Sequence, residues 1–117
     1  MELNDRLEIL LSSNTITKDV YDKVKLFISR LEDKWDIKLT EENGGRLITH
    51  LSMALMRIAR NENIAPMDEE ALGEFRASGY FSKALTIVDD LIDIAGLQVP
   101  SAERDYLISN VCLILED

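Results

Sequence analysis

The sequence predicts an all-α protein, an antiparallel bundle of five to six helices, on three observations. Apolar residues recur at spacings of three and four through every long segment. Residues that start or stop helices stand at the ends of those segments. The stretches with any strand character, Asp36 to Leu39 and Leu97 to Val99, are too short to build a sheet.

Taken in order, Leu3, Leu7, Leu10 and Leu11 make a short amphipathic helix that ends in Ser12, Ser13 and Asn14. From Val20 to Trp35, the residues Val20, Val24, Phe27, Ile28, Leu31 and Trp35 form one apolar face, with Thr17 as its N-cap. A third helix starts at Thr40, followed by Glu41 and Glu42, whose charges suit a helix N-terminus. Its apolar face is Leu47, Ile48, Leu51, Ala54, Leu55 and Ile58. Gly44 and Gly45 near its start either shorten the first turn or permit close packing. After Pro66, Asp68-Glu69-Glu70 opens a short helix that runs through Phe75 and ends near Ser78-Gly79. A fifth helix carries the stripe Phe81, Ala84, Leu85, Val88, Leu91, Ile92 and Ala95, and Gly96 stops it. Pro100 and Ser101 open the last, in which Leu107, Asn110, Val111 and Ile114 share a face.

A length of 117 residues suits one domain, 1–117, and no repeat, low-complexity tract or flexible linker divides it. With 13 basic against 22 acidic residues the formal charge is -9, which repels nucleic-acid phosphates and anionic membrane surfaces. No direct nucleic-acid or membrane partner is expected. Apolar runs are broken by charge well short of the roughly 20 residues that cross a bilayer. The start from Met1 to Arg6 lacks a secretory pattern, and the lone Cys112 reads as a buried, reduced thiol. A cytoplasmic protein is the expectation. Wide apolar faces on the long helices also suggest a homodimer that covers leftover surface.

Catalytic signatures are sparse. There is no Cys-x-x-Cys, no glycine-rich phosphate loop and, with one histidine, no His-x-x-x-His pair. No enzyme activity, cofactor or metal site is expected; Asp89, Asp90 and Asp93 read as a solvated face rather than a cation site. A small enzyme using His50 as acid or base is the weakest reading.

His50 stands out by position. At about 100° per residue it falls just outside the Ala54 edge of its helix's apolar arc, neither central nor fully exposed. Arg46 and Arg57 lie on the same flank within about 40°. Those guanidinium groups could hold an incoming phosphoryl group and neutralise it once attached. The residues alone leave two readings open: a phosphoryl acceptor, or a boundary histidine that happens to sit beside arginines.

The string His50-Leu51-Ser52-Met53-Ala54-Leu55-Met56-Arg57 resembles the first histidine motif of the PTS regulation domain (PRD), in which Ala and Arg follow a helical His at these offsets. Glu103-Arg104-Asp105-Tyr106-Leu107-Ile108-Ser109-Asn110, preceded by Val99-Pro100, resembles the second motif of the same family. Tyr80 to Gly96, with Ala84 in its stripe, resembles the helix between them, so the likeness covers the chain from about Ile16 onward. The resemblance implies a helical bundle, often dimeric, phosphorylated on histidine by the sugar phosphotransferase system through the phosphocarrier protein HPr or an enzyme II component. It implies a part in transcriptional regulation of carbohydrate uptake. His50 would be the phospho-acceptor, with Arg46 and Arg57 as its phosphate-binding support.

The chain departs from the family pattern in two ways. Asn110 stands at the second histidine's position, and a carboxamide cannot accept a phosphoryl group as imidazole does. It either hydrogen-bonds near the site or is a satisfied polar group of the core. One such domain is present, with no nucleic-acid-binding module, so regulation is expected to pass through a partner regulator protein or a dimer interface. The alternative is a domain of this fold that is not phosphorylated and serves for protein interaction or dimerisation.

Overall fold

A computed structural model of the chain describes residues 2–116; Met1 and Asp117, the ends of the expected domain, lie outside them. Among the described residues there are six α-helices and no strand, an all-α helical bundle: α1 (Leu3–Ser12), α2 (Lys18–Asp33), α3 (Glu41–Ala59), α4 (Glu69–Ala77), α5 (Phe81–Ala95) and α6 (Ser101–Glu116). The segments 36–39 and 97–99 are connections. Contacts group the helices into two compact units, one up to Asn61 and one from Glu62.

The helix ends are set by local chemistry. Thr17 accepts a hydrogen bond from the Val20 amide at 3.2 Å, and Asp68 accepts one from Ala71 at 3.4 Å. Thr40 and Asn43 form a reciprocal capping box: the Asn43 amide donates to Thr40 Oγ1 at 3.3 Å and the Thr40 amide to Asn43 Oδ1 at 2.6 Å. After α1, α2 and α3 the chain turns through left-handed residues, Asn14, Asp36 and Asn61, with φ of 60°, 56° and 56°. Gly96 does the same after α5, with φ of 63°. Asn and Asp tolerate this conformation better than other non-glycine residues, which is why three helices stop without glycine.

In the first unit α1, α2 and α3 pack on one another around Leu7, Val20, Val24, Phe27, Leu31, Ile48 and Leu51. The Tyr21 hydroxyl of α2 bonds the Glu8 carboxylate of α1, and Lys18 sits 4.5 Å from the centre of the Tyr21 ring. Trp35 lies beyond the end of α2 rather than on its helical face, and is half-buried. Gly44 and Gly45 do not shorten α3. Both are buried inside it, and a Cβ on Gly44 would come within 3.0 Å of Leu39 Cβ, so the close-packing expectation holds.

In the second unit α5 lies against α6, and α4 touches both. The buried line of α5 is Ala84, Ile87, Val88 and Leu91. Ile87, wholly buried, is absent from the expected stripe, whereas Phe81, Leu85, Ile92 and Ala95 are half-buried. The two lines overlap, and the apolar arc of α5 is wide enough for the packing to choose between its edges. Helix α6 buries Glu103, Leu107, Ile108, Ser109, Val111 and Cys112, a set spread around the helix rather than along one stripe. Ser109 Oγ donates to the Asp105 carbonyl at 2.9 Å, which satisfies its buried hydroxyl within its own helix. Cys112 is fully buried and makes no disulfide. No helix among the described residues is long and apolar enough to cross a membrane.

Candidate functional site

Helix α3 carries the three residues singled out around the histidine. His50 is exposed, Arg46 one turn before it is exposed, and Arg57 two turns after it is half-buried. The exposed ring agrees with a histidine just outside the apolar arc and reachable from solvent. Its neighbour one turn on, at the apolar edge, is the buried Ala54. His50 and Arg57 each engage another group in the chain. Residues 46, 50 and 57 thus share one flank of one helix, within the first unit.

Asn110 is carried by α6 of the second unit, half-buried, and its Nδ2 donates to the Tyr106 carbonyl at 3.0 Å. A side-chain amide returned to the carbonyl four residues back satisfies a polar group inside a helix without any ligand. Asp89 is paired with Arg104 of α6, Nε to Oδ1 and Nη2 to Oδ2 both at 2.9 Å. Its carboxylate is thereby occupied by a bidentate fork. Among the described residues no group of three or more His, Cys, Asp or Glu is placed to hold a metal ion.

One arrangement beside His50 was not read from the sequence. Arg6 of α1 grips Glu41 at the head of α3 through Nη2 and through Nε, the latter 3.0 and 3.2 Å from the two carboxylate oxygens. The same guanidinium donates through Nη1 to Thr49 Oγ1 at 3.2 Å, and Thr49 donates to the Gly45 carbonyl at 3.1 Å. This ties α1 to α3 at the residue next to His50. Gly45 leaves room for it: a Cβ there would sit 3.3 Å from Glu41 Oε1 and 3.4 Å from Arg6 Nε. The Arg6 hydrogen bond, above all, holds the Glu41 carboxyl below its ordinary range, and Glu41 in turn raises the Arg6 guanidinium. The i, i+4, i+8 spacing of Glu41, Gly45 and Thr49 was the one available signal, but it could not name a partner 35 positions away.

A cleft of about 590 Å³ opens between α1, α2 and the head of α3, floored by Leu3, Leu7, Ile28 and Leu39. Lys25 and Lys38 line it together with Glu2, Glu41 and Glu42, so its charges are mixed.

Comparison with known proteins agrees with the likeness carried by the two motifs. The model of the PRD domain family matches residues 25–109, which include the His50 motif, the second motif up to Ser109 and helices from each unit. The chain is 29% identical over 109 residues to the uncharacterized protein YhfY of Escherichia coli K12, covering 93% of this chain and 91% of that one. It is 26% identical over 117 residues to an uncharacterized protein of Haemophilus influenzae Rd, covering 99% of this chain and 94% of the relative. No solved structure matches. The family match spans most of the sequence and includes the exposed histidine of α3, and the chain belongs to the PRD domain family.

Proposed function

We propose that this chain is a regulatory domain whose His50 accepts a phosphoryl group from the sugar phosphotransferase system. The observation that carries the reading is the exposure of His50 inside the family match, with Arg46 and Arg57 on the same flank. In the transfer, a ring nitrogen of His50 forms a bond to phosphorus as the donor's bond to phosphorus breaks, and the displaced ring proton leaves to the donor group or to water. The guanidinium groups offset the three phosphoryl oxygens before and after that step, as arginines do wherever phosphate is recognised.

A phosphoryl group adds roughly -1.5 to -2 charge to an exposed helix face. That change alters what the face can bind, and it is how the domain reports sugar uptake to a partner regulator of transcription. The domain needs no turnover of its own for this, and we read it as regulatory rather than enzymatic. Incubation with phosphoenolpyruvate, enzyme I, HPr and enzyme II components is expected to give an acid-labile label that His50→Ala abolishes. No label with any donor would remove the acceptor role.

A second reading is favoured by one observation. Asn110, at the second histidine's position, is turned onto its own helix backbone. On this reading the chain is an interaction or dimerisation module without phosphorylation, and a partner captured equally by wild type and by His50→Ala would support it.

A further inference from the structure

Arg46 and Arg57 share a flank of α3 with the chain's single histidine, and Arg60 caps the C-terminal end of that helix, on a protein of formal charge -9. At about 100° per residue, Arg57 and Arg46 fall about 20° and 40° from His50 on the same side, with Met53 at about 60°, and Arg60 follows as the C-cap residue just past the last turn. Arg46 and Arg60 are exposed; Met53 and Arg57 are half-buried. From Arg46 to Arg60 the strip runs about 21 Å along the helix. Arg6 reaches its far edge at Thr49, and Glu42 at the head is the acidic exception. Arg57 and Arg60 also engage groups within the chain, but a guanidinium keeps its charge whatever it pairs with.

Arg60 is ten residues beyond His50, about 15 Å along the axis, which is too far to hold a phosphoryl group on the ring. Its charge acts on whatever lies across the strip while His50 reacts. We propose that this strip, from Arg46 to Arg60 with Met53 in its middle, is the docking surface for the protein that phosphorylates His50, and that this donor presents carboxylates around its phosphoryl group. The proposal rests on the acceptor reading of His50.

Charge complementarity favours such an occupant. Beyond a Debye length of about 8 Å the surrounding acidic surface is screened, so at contact a compact acidic rim meets the local arginines rather than the net charge. An extended nucleic acid would cross the same strip but run on over the acidic remainder of the chain. Met53 supplies an adaptable apolar contact at the centre, where a protein face gains most from one.

The test compares initial rates of His50 labelling by phosphorylated HPr and phosphorylated cytoplasmic enzyme II domains with labelling by phosphoramidate, a donor too small to use the strip. Arg60→Glu is expected to lower kcat/KM with its protein donor roughly tenfold at low salt, Arg60→Gln less, and the deficit should shrink as salt rises. Phosphoramidate should label wild type and both variants alike. Equal rates for Arg60→Glu and wild type with every protein donor that labels His50 would overturn the docking strip and leave the acceptor reading standing. A deficit with phosphoramidate as well would also overturn it, since Arg60 would then act on the ring or the fold. Labelling by phosphoramidate with nucleic acid, but no protein, competing for the strip would assign it to a polyanion instead. No label from any donor would remove the acceptor reading, and the strip with it.

Discussion

The Arg6 guanidinium is locked onto the Glu41 carboxylate at the head of α3, and from the same side chain it reaches the residue next to His50. The pair joins the two helix surfaces at a half-buried point, where screening is weaker than on an open face. Because Glu41 is held below its ordinary carboxyl value of 4.5, it contributes stability that is present above its unfolded value and lost as pH falls through the folded one. Urea unfolding of wild type and Arg6→Gln across a pH series is therefore expected to show a gap near neutrality that closes in the acid range. A gap unchanged by acid would mean that Arg6 acts through packing alone.

The glycines of two helices should respond oppositely to alanine. At Gly44 the added Cβ meets Leu39 Cβ at 3.0 Å, so Gly44→Ala is expected to destabilise by about 1–3 kcal/mol. At Gly73, exposed within α4, a Cβ meets nothing within 4 Å. Gly73→Ala is expected to stabilise by about 0.5–1 kcal/mol, from the better helix propensity of alanine. Denaturant midpoints of the two variants decide both signs.

Gly96 holds φ at 63° at the C-cap of α5. A side chain there costs about 1–2 kcal/mol, and Gly96→Ala should lose that much by thermal or urea unfolding. Asn61 is in the same conformation after α3, and Asn61→Gly should be neutral or slightly stabilising. A strongly destabilised Asn61→Gly would show that the Asn side chain itself holds the turn.

Cys112 is fully buried on α6, and burial pushes its thiol above the ordinary value of 9.0. A protonated, buried thiol is a poor nucleophile. It should react with a thiol-specific disulfide reagent only as fast as the protein opens, and at once in denaturant. Rapid reaction in native buffer would contradict its placement.

Much of the fold was legible because its signals are local. Thr17, Thr40, Asp68 and Gly96 mark helix ends through bonds or backbone angles that involve residues within a turn. The centres of the faces of α2 and α3 read correctly because Val20, Val24, Phe27 and Leu31, and Leu47, Ile48, Leu51, Ala54 and Leu55, keep one helical period, whereas Tyr21, Ser52 and Met56 were added by packing and Trp35 fell beyond the helix. Helix α5 was less determinate: its apolar arc is wide enough that packing selected Ile87 over Leu85. Helix α6 buries Glu103 and Ser109 among apolar residues, so polarity did not report its inner face. At the site, helical geometry placed Arg46 and Arg57 beside His50 on one flank. The Arg6 tie depended on a tertiary contact that no period encodes.

A regulatory role through His50 requires that its ring carry phosphate. The most direct measurement is phosphorus NMR of the protein after phosphoenolpyruvate, enzyme I, HPr and enzyme II components have been supplied. A single phosphohistidine resonance is expected, absent from His50→Ala and lost on mild acid treatment. No resonance with any combination of donors, or one that persists in His50→Ala, would contradict it.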